Sequence, residues 1–298
     1  MKCQALFFSV ITTATFAVPA FAADGTSEMM GFRWGKNAFN FEGMPTGPQP
    51  LRNLSRLPDG KANAGRLVGD YHNPILTPEA ASVVKAKGDL SIAGRGFRNS
   101  QDQCRAIAPP FTFAMQLIFE MLQTKEGNLT IVYGQNDNVR HIRMNGAHPA
   151  KLVPRPMGDS VGHWDGDTLV IDTVGVKVDP YTSVDRFGTP QSEQMHVIER
   201  YRLIDGAVAK AQIDKYETSE GTVGGGGRIA GYDPDTSLKG LQLDVTMEDP
   251  KVFTAPLTAR VTYRRLNTEW QEDVCADNPM EHYKDEWIGL PKADHPEF

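Results

Sequence analysis

Side chains suited to proton transfer are concentrated in one part of this sequence, residues 162–202. Histidine, aspartate, glutamate and arginine occur there on segments whose alternating pattern is typical of half-buried strands. Histidine exchanges protons near neutral pH, and a carboxylate in apolar surroundings must be paired, hydrogen-bonded or protonated. This combination suits general acid–base catalysis. The residues that we predict to be catalytic are His196, Glu199, Asp172 and Asp167.

The strand predicted at Met195–Ile204 sorts its side chains into two faces. Glu199 falls on the more apolar face, so we expect it to point inward. There it is either an acid or base in a cavity, or one half of a buried ion pair with an arginine such as Arg140 or Arg260. His196 falls on the opposite face, and a β-bulge at the entrance of the strand would be needed to turn it inward.

The strand after the Asp165-Gly166 turn carries Asp167 and Asp172 on opposite faces. The polar loop Asp179–Gln191 leads towards the next strand, and such a loop at the mouth of a barrel often contacts ligand. Further residues that we expect to contact a substrate lie on neighbouring strands and turns. They are Tyr133, Arg140, His163, Trp164, Glu193, Arg200 and Tyr201.

Other kinds of site find little support in the sequence. It contains no CxxC or HExxH motif, and its histidines and aspartates lack the spacing of known metal sites. Ser192 has no GxSxG elbow around it. The glycine-rich run Gly221–Gly231 lacks the GK[ST] of a phosphate-binding loop, so a flexible segment over an opening is favoured. We therefore predict neither a metal nor a cofactor.

The elements that position these residues are predicted to be strands from about Leu129 onward. Asp-Gly dipeptides between apolar residues are strong signals for two-residue hairpins. The predicted strands are residues 129–133, 139–144, 163–164, 168–171, 195–204, 207–216, 241–247, 257–266 and 270–275. A closed barrel leaves no exposed edge strand. We therefore predict a mainly β fold, an antiparallel up-and-down barrel of lipocalin-like type with eight or nine strands. A two-sheet sandwich is the alternative.

The chain divides into a predicted signal peptide (1–22), an N-terminal arm (23–127) and a barrel domain (128–298). The signal has a basic start, a short apolar run and small residues before the cleavage site, which predicts a periplasmic or secreted protein. Within the arm, Thr77-Pro78-Glu79 has the composition of a helix start, and we expect a helix over 77–88. Residues 109–122 are predicted as a buried strand or short helix.

Charge and length narrow the possible partners. The net charge is −6, and cleavage of the signal removes one lysine. A mildly acidic protein is a poor match for nucleic acid or an anionic membrane surface. No segment has the length and composition of a transmembrane helix. We predict a small-molecule substrate or ligand as the partner, and the oligomeric state stays open.

Two cysteines follow the predicted signal, Cys104 and Cys275. In an oxidising compartment such a pair often forms a disulfide, and closing so long a loop would stabilise the fold by about 4–5 kcal/mol in the chain-entropy model. We predict this disulfide; two separate thiols are the alternative.

Two motifs resemble those of a large group of secreted bacterial β-rich proteins of unassigned function. The first is the WDGDTLVIDT of Trp164–Thr173, and the second is the SExxHVxER that begins at Ser192. The resemblance extends to residues 73–78, 140–146, 249–251 and the region of Cys275. It implies an exported β-rich protein and carries no catalytic residues.

Three functions are compatible with the sequence. The first is a periplasmic, cofactor-independent acid–base enzyme, a lyase, dehydratase, isomerase or hydrolase acting on a small, partly apolar molecule in the barrel cavity. The second is a non-catalytic carrier of an apolar molecule, in which the inward acids would pair with arginines. The third is an envelope scaffold that uses the arm at residues 24–66 to bind partners.

Overall fold

A computed structural model describes most of the chain between residues 29 and 267. The described residues are 29–31, 33–40, 54–63, 66–100, 103–114, 118–134, 138–220 and 235–267. The predicted signal peptide, the glycine-rich run and the predicted strand at 270–275 lie outside them.

The described residues form nine strands and three helices. The strands are β1 (Arg33–Asn40), β2 (Ile118–Gln123), β3 (Leu129–Tyr133), β4 (Val139–Met144), β5 (Asp159–Asp165), β6 (Thr168–Val174), β7 (His196–Ile204), β8 (Gly240–Glu248) and β9 (Leu257–Arg265). The helices are α1 (Pro78–Ile92), α2 (Phe111–Ala114) and α3 (Gly206–Glu220).

Each strand pairs with the next one in the sequence, and β9 pairs with β1, so the sheet closes into a barrel. The predicted β-barrel of eight or nine strands is confirmed. One pair departs from the up-and-down pattern, because β4 and β5 run parallel. A ring with an odd number of strands cannot alternate direction throughout, so a parallel pair is required here. The connection 145–158 supplies it by returning the chain to the end of the barrel where β4 began.

Aromatic rings pack against one another inside the barrel. The ring of Phe119 on β2 lies 5.0 Å from that of Tyr263, 6.1 Å from Tyr133 and 6.3 Å from Tyr201, measured between centroids. All four side chains are buried. The contact with Tyr263 is edge-to-face, the arrangement that the ring quadrupoles favour. Side chains therefore fill the interior of the barrel at this level.

Helix α1 begins as predicted and ends later. Thr77 is its N-cap, and the side-chain oxygen accepts a hydrogen bond from the Ala80 amide at 3.2 Å. The helix continues through Gly88 to Ile92. A Cβ at Gly88 would stand 2.9 Å from Cγ1 of Val68. This glycine therefore permits a close approach between segments and does not end the helix.

The prediction of a strand at 207–216 is wrong, because this segment belongs to α3. Asp205 accepts a hydrogen bond from the Ala207 amide at 2.9 Å, as an N-cap residue does. Ala209 and Ile213 are both buried and lie four residues apart, on one face of the helix. An Asp-Gly pair therefore begins a helix here, where the sequence suggested a hairpin.

The barrel also takes strands from the segment predicted as an arm. Strands β1 and β2 precede residue 128, and the described part of the arm, with α1 and α2, lies between them in the chain. The predicted boundary at 127/128 therefore differs from the observed one. Residues 109–122 contain both a short helix and a strand, α2 and β2. Among the described residues, no helix combines the length and the apolar composition needed to cross a bilayer.

Candidate functional site

Glu199 points into the barrel, on the face that the alternation of β7 indicates, and it is fully buried. Its carboxylate is held by Arg140 of β4, whose Nη1 and Nη2 lie 3.0 and 2.6 Å from the two oxygens. Arg260, the other arginine considered as a partner, is paired with Asp244. The structure therefore shows the buried ion pair, in the bidentate geometry that suits a guanidinium and a carboxylate.

Neighbouring hydroxyl groups complete this interior cluster. Tyr201 donates to Oε2 of Glu199 at 2.9 Å, and the guanidinium of Arg140 also donates to Ser160 and Thr173. Burial disfavours the charged form of Arg140, but Glu199 outweighs this effect and raises the pKa of Arg140. The charge of Glu199 is thus balanced by Arg140, and its carboxylate is enclosed in the interior. Such a group is poorly placed to exchange protons with a ligand.

His196 lies on the outer face of the barrel, as its parity predicts, and no bulge turns it inward. Its Nε2 is 2.9 Å from Oδ1 of Asp172 on the neighbouring strand β6. The side chains are 32% and 37% exposed. Asp172 is directly opposite Ile198 in the ladder, and His196 is two residues before Ile198 on the same strand. Asp172 and His196 are therefore diagonal neighbours, close enough for long side chains to meet. Two of the predicted catalytic residues are therefore in contact and open to solvent.

Sequence reasoning missed a third member of this group, His148. It lies in the connection 145–158, and its Nε2 is 3.2 Å from the same Oδ1 of Asp172. Its Nδ1 is 2.7 Å from Oδ1 of Asp159. Ionised carboxylates only accept hydrogen bonds, so both contacts are hydrogen bonds at the same time only when both ring nitrogens of His148 carry a proton. No spacing in the sequence points to this residue, because the parallel crossover brings it to the site.

Asp159 connects His148 to an arginine. Arg143 donates to its two carboxylate oxygens at 2.8 and 2.9 Å. Arg143 first, and then the hydrogen bond from His148, lower the pKa of Asp159 to about 2 although burial opposes them. A continuous chain of contacts thus runs through Arg143, Asp159, His148, Asp172 and His196. We refer to these five residues as the outer network.

Unlike Nε2, the second ring nitrogen of His196 forms no hydrogen bond to a carboxylate of a described residue. Its Nδ1 lies 3.9 Å from Oε2 of Glu248, which is too far for a hydrogen bond. If Nε2 donates to Asp172, then Nδ1 of the neutral ring keeps its lone pair. The outer network therefore places an imidazole with both nitrogens at carboxylates beside one with a single nitrogen so placed, an arrangement that suits a proton donor and a proton acceptor.

The remaining predicted residues lie elsewhere. Asp167 is in the exposed turn between β5 and β6, at the end of β6 away from Asp172. Arg200 is exposed and pairs with Asp165 at 2.6 Å. His163 and Glu193 are exposed, and Trp164 is half-buried against the core. Tyr133 and Tyr201 face the interior. Of the four residues predicted to be catalytic, only His196 and Asp172 come together.

A pocket of about 200 Å³ lies beyond the same strand ends as the outer network. It is lined by residues just outside three of these strands, namely Pro156 before β5, Val176 after β6 and Gln191 before β7. Five residues span at most about 18 Å, which limits the distance from Gln191 to His196 along the chain. The loop Asp179–Gln191, predicted to contact ligand, supplies part of the wall.

Cys104 is exposed and has a positive φ of 51°. Cys275 lies outside the described residues, so the disulfide between them stays a prediction.

No set of three or more histidine, cysteine, aspartate or glutamate side chains in the described part of the chain is arranged to hold a metal ion. Comparisons with family models, with curated proteins and with solved structures found no match to this chain.

Proposed function

We propose that this protein is an exported, cofactor-independent acid–base enzyme, and that its reactive groups belong to the outer network. The observation that carries the proposal is the sharing of Oδ1 of Asp172 by His148 and His196, at 3.2 and 2.9 Å. One carboxylate oxygen thereby orients two imidazoles on a partly exposed surface. The site lies on the outer face of the barrel, whereas the sequence predicts a reactive cavity inside it.

His196 is the base in this scheme. Its Nδ1 accepts a proton from the substrate, and Asp172 fixes the ring through Nε2 and stabilises the imidazolium that forms. A nearby carboxylate plays the same part for the histidine of a catalytic triad. Glu248, 3.9 Å from Nδ1 in the resting arrangement, adds further negative charge beside the protonated ring.

His148 is the acid. Its bond to Asp172, at 3.2 Å, is longer than its bond to Asp159, at 2.7 Å, and is therefore the weaker of the two. The Nε2 proton can be redirected to a carbonyl or leaving oxygen of the substrate while Asp159 holds the ring. Removal of one proton and delivery of another suits elimination, hydration or isomerisation.

Untargeted conversion tests this proposal without a known substrate. The purified protein is incubated with a small-molecule extract of bacterial cells, and the products are compared by mass spectrometry with those of His196→Ala and Asp172→Asn. We expect conversions by the wild type that fall by a factor of about 10²–10⁴ in both variants.

The matched control is His72→Ala, which removes an exposed histidine that precedes α1 and does not belong to the outer network. It should convert the extract as the wild type does. Equal conversion by all four folded proteins, or no conversion by the wild type, would contradict the proposal.

A second candidate function, a carrier of a small apolar molecule, is supported by the ion pair between Arg140 and Glu199. A carrier needs no reactive acid inside, and pairing with arginine is what that function predicts for an inward carboxylate. Denaturing the purified protein and analysing the released compounds discriminates the two. An intact ligand that the native protein leaves unchanged favours the carrier, and a ligand that it converts favours the enzyme.

A further inference from the structure

The pocket beyond the ends of β5, β6 and β7 has mixed walls. Ala106, Ala108 and Phe111 from the arm provide apolar surface, and Pro156 and Val176 continue it on the barrel side. Its volume of about 200 Å³ is many times the space of about 10–15 Å³ that a single water needs. This space suits a molecule of the size of one ring with a short substituent, bound between the arm and the barrel.

Two polar side chains in the wall have no partner in the described part of the chain. The hydroxyl of Ser183 and Nε2 of Gln191 make no hydrogen bond there, although the residues are only 3% and 7% exposed. Leaving such groups unsatisfied is costly, and folded proteins satisfy almost all of them. Both residues line the pocket, and the two atoms themselves are enclosed in its wall, so a turn of either side chain toward a bound oxygen acceptor would satisfy them.

The charged side chains around the pocket carry a net positive charge. The carboxylate of Asp179 forms an ion pair with Arg105, whose Nη1 lies 2.7 Å from Oδ2 of Asp179. Oδ1 of Asp179 accepts a hydrogen bond from the Tyr181 amide at 2.8 Å. Burial opposes the ionisation of Asp179, but the Tyr181 amide and Arg105 outweigh it and lower its pKa. Lys177 forms no ion pair with any described residue and lies at the rim. Its ammonium group is thus available to an anionic ligand.

We propose that this pocket binds a small carboxylate with a short apolar body. The body packs against Phe111 and Val176, one carboxylate oxygen accepts from Nε2 of Gln191, and Ser183 donates to the other. Lys177 supplies the balancing charge at the rim. The identification of this molecule as the substrate rests on the proposed acid–base function, whereas the binding itself does not.

Benzoate and benzamide are the test ligands, because they share shape and differ in charge. Binding to the full-length protein is followed by saturation-transfer NMR and calorimetry. We expect saturable binding of benzoate and weaker binding of benzamide. Gln191→Glu places a negative charge at the carboxylate position and should weaken benzoate binding at least about tenfold. Lys177→Gln, an exposed change that does not threaten the fold, should weaken it severalfold.

Two controls separate this inference from the proposed function. Lys151→Gln removes an exposed lysine outside the pocket and should leave the affinity for benzoate unchanged. His196→Ala should lose turnover and keep benzoate binding. No saturable benzoate binding to the wild type would overturn the inference, and so would binding that Gln191→Glu and Lys177→Gln leave unchanged. Loss of binding in His196→Ala alone would place the carboxylate at the outer network instead.

Discussion

The guanidinium of Arg140 and the carboxylate of Glu199 meet across the inside of the barrel, although two strands separate β4 from β7. The guanidinium of Arg140 also donates hydrogen bonds to Ser160 of β5 and Thr173 of β6, the two strands between them. The side chain of Arg140 thus links its own strand to the inner faces of the next three. This cluster includes the strands β4 and β5, whose parallel pairing is the exception in the sheet.

Removing one partner of this pair should destabilise the protein strongly. Glu199→Gln leaves the buried positive charge of Arg140 unpaired, and such losses cost about 3–5 kcal/mol. Arg140→Met leaves the carboxylate of Glu199 uncompensated, with a similar expected cost. The measurement is the free energy of unfolding from urea titrations at neutral pH. Either single variant with wild-type stability would show that the pair is not charged in the folded state.

Combining Arg140→Met with Glu199→Leu should recover much of this loss. Two apolar side chains of similar volume avoid the desolvation of both charges, so the double variant should be more stable than either single one. With Glu199→Leu added as the second single variant beside Arg140→Met, the double-mutant cycle gives the coupling energy of the pair. Additive losses would contradict the direct pairing seen here.

Two buried tyrosines on the inner face offer a matched comparison. The hydroxyl of Tyr201 donates to Glu199, whereas that of Tyr133 lies near Arg140 without a hydrogen bond of ordinary geometry to any described residue. Tyr201→Phe should therefore cost about 1.5–3 kcal/mol, the range for hydrogen bonds to charged groups. Tyr133→Phe removes an unsatisfied hydroxyl and should leave stability unchanged or raise it by about 1 kcal/mol. Unfolding by urea measures both, and the opposite ranking would contradict the described contacts.

The barrel was predictable because its signals are local. The alternation in β7 placed Glu199 inside and His196 outside, and the turn at Gly166 joins β5 to β6 as expected. The strand prediction for 207–216 is wrong because an Asp-Gly pair can begin either a hairpin or a helix. The packing of α3 beside β8 and β9 decides between the two. Strand β1 was missed because its sequence has no clear apolar alternation and its pairing partners are distant in the chain.

The candidate site was only half predictable. Asp172 and His196 are on neighbouring strands, so the order of the strands brings them together. His148 depends on the path of the crossover between two parallel strands, which no periodicity encodes. The pocket depends on how the arm lies against the loop after β6, a contact between segments far apart in the sequence. Residues held by long-range contacts of this kind leave no pattern that a single sequence reveals.

Acid should weaken the fold through Asp159. Its pKa in the folded protein is about 2, below the ordinary value of 3.8, mainly because Arg143 binds its charged form. As the pH falls from about 4 to about 2, the unfolded chain takes up this proton first, so the stability contributed by the ion pair is lost over that range. Urea titrations at several pH values in this window measure the loss.

Asp159→Asn should lack this part of the pH dependence, since it has no carboxylate to protonate. Arg143→Gln should make this loss smaller and confine it to a narrower range just below pH 4, because it removes the main cause of the lowered pKa of Asp159. An unchanged slope in Asp159→Asn would assign the acid sensitivity to other groups.

Asp249 should control both stability and the position of His196. This buried carboxylate accepts from the amide and hydroxyl of Ser192, at 2.7 and 2.6 Å, and from the amide of Lys251 at 3.2 Å. Ser192 lies between Gln191 of the pocket and the start of β7. Asp249→Ala leaves these donors without their acceptor, and we expect a loss of about 1–3 kcal/mol together with reduced turnover.

An Asx turn with the same spacing provides the control for Asp249. Asp59 accepts from the amide of Lys61 at 3.1 Å, but it is exposed and holds no second segment. Asp59→Ala should therefore leave the urea midpoint and the turnover unchanged. Because Asp249 acts on His196 through the chain that follows Ser192, Asp249→Ala should also alter the NMR shifts of the His196 ring, while Asp59→Ala should not. If both variants leave that ring unperturbed, Asp249 stabilises the loop without positioning the base.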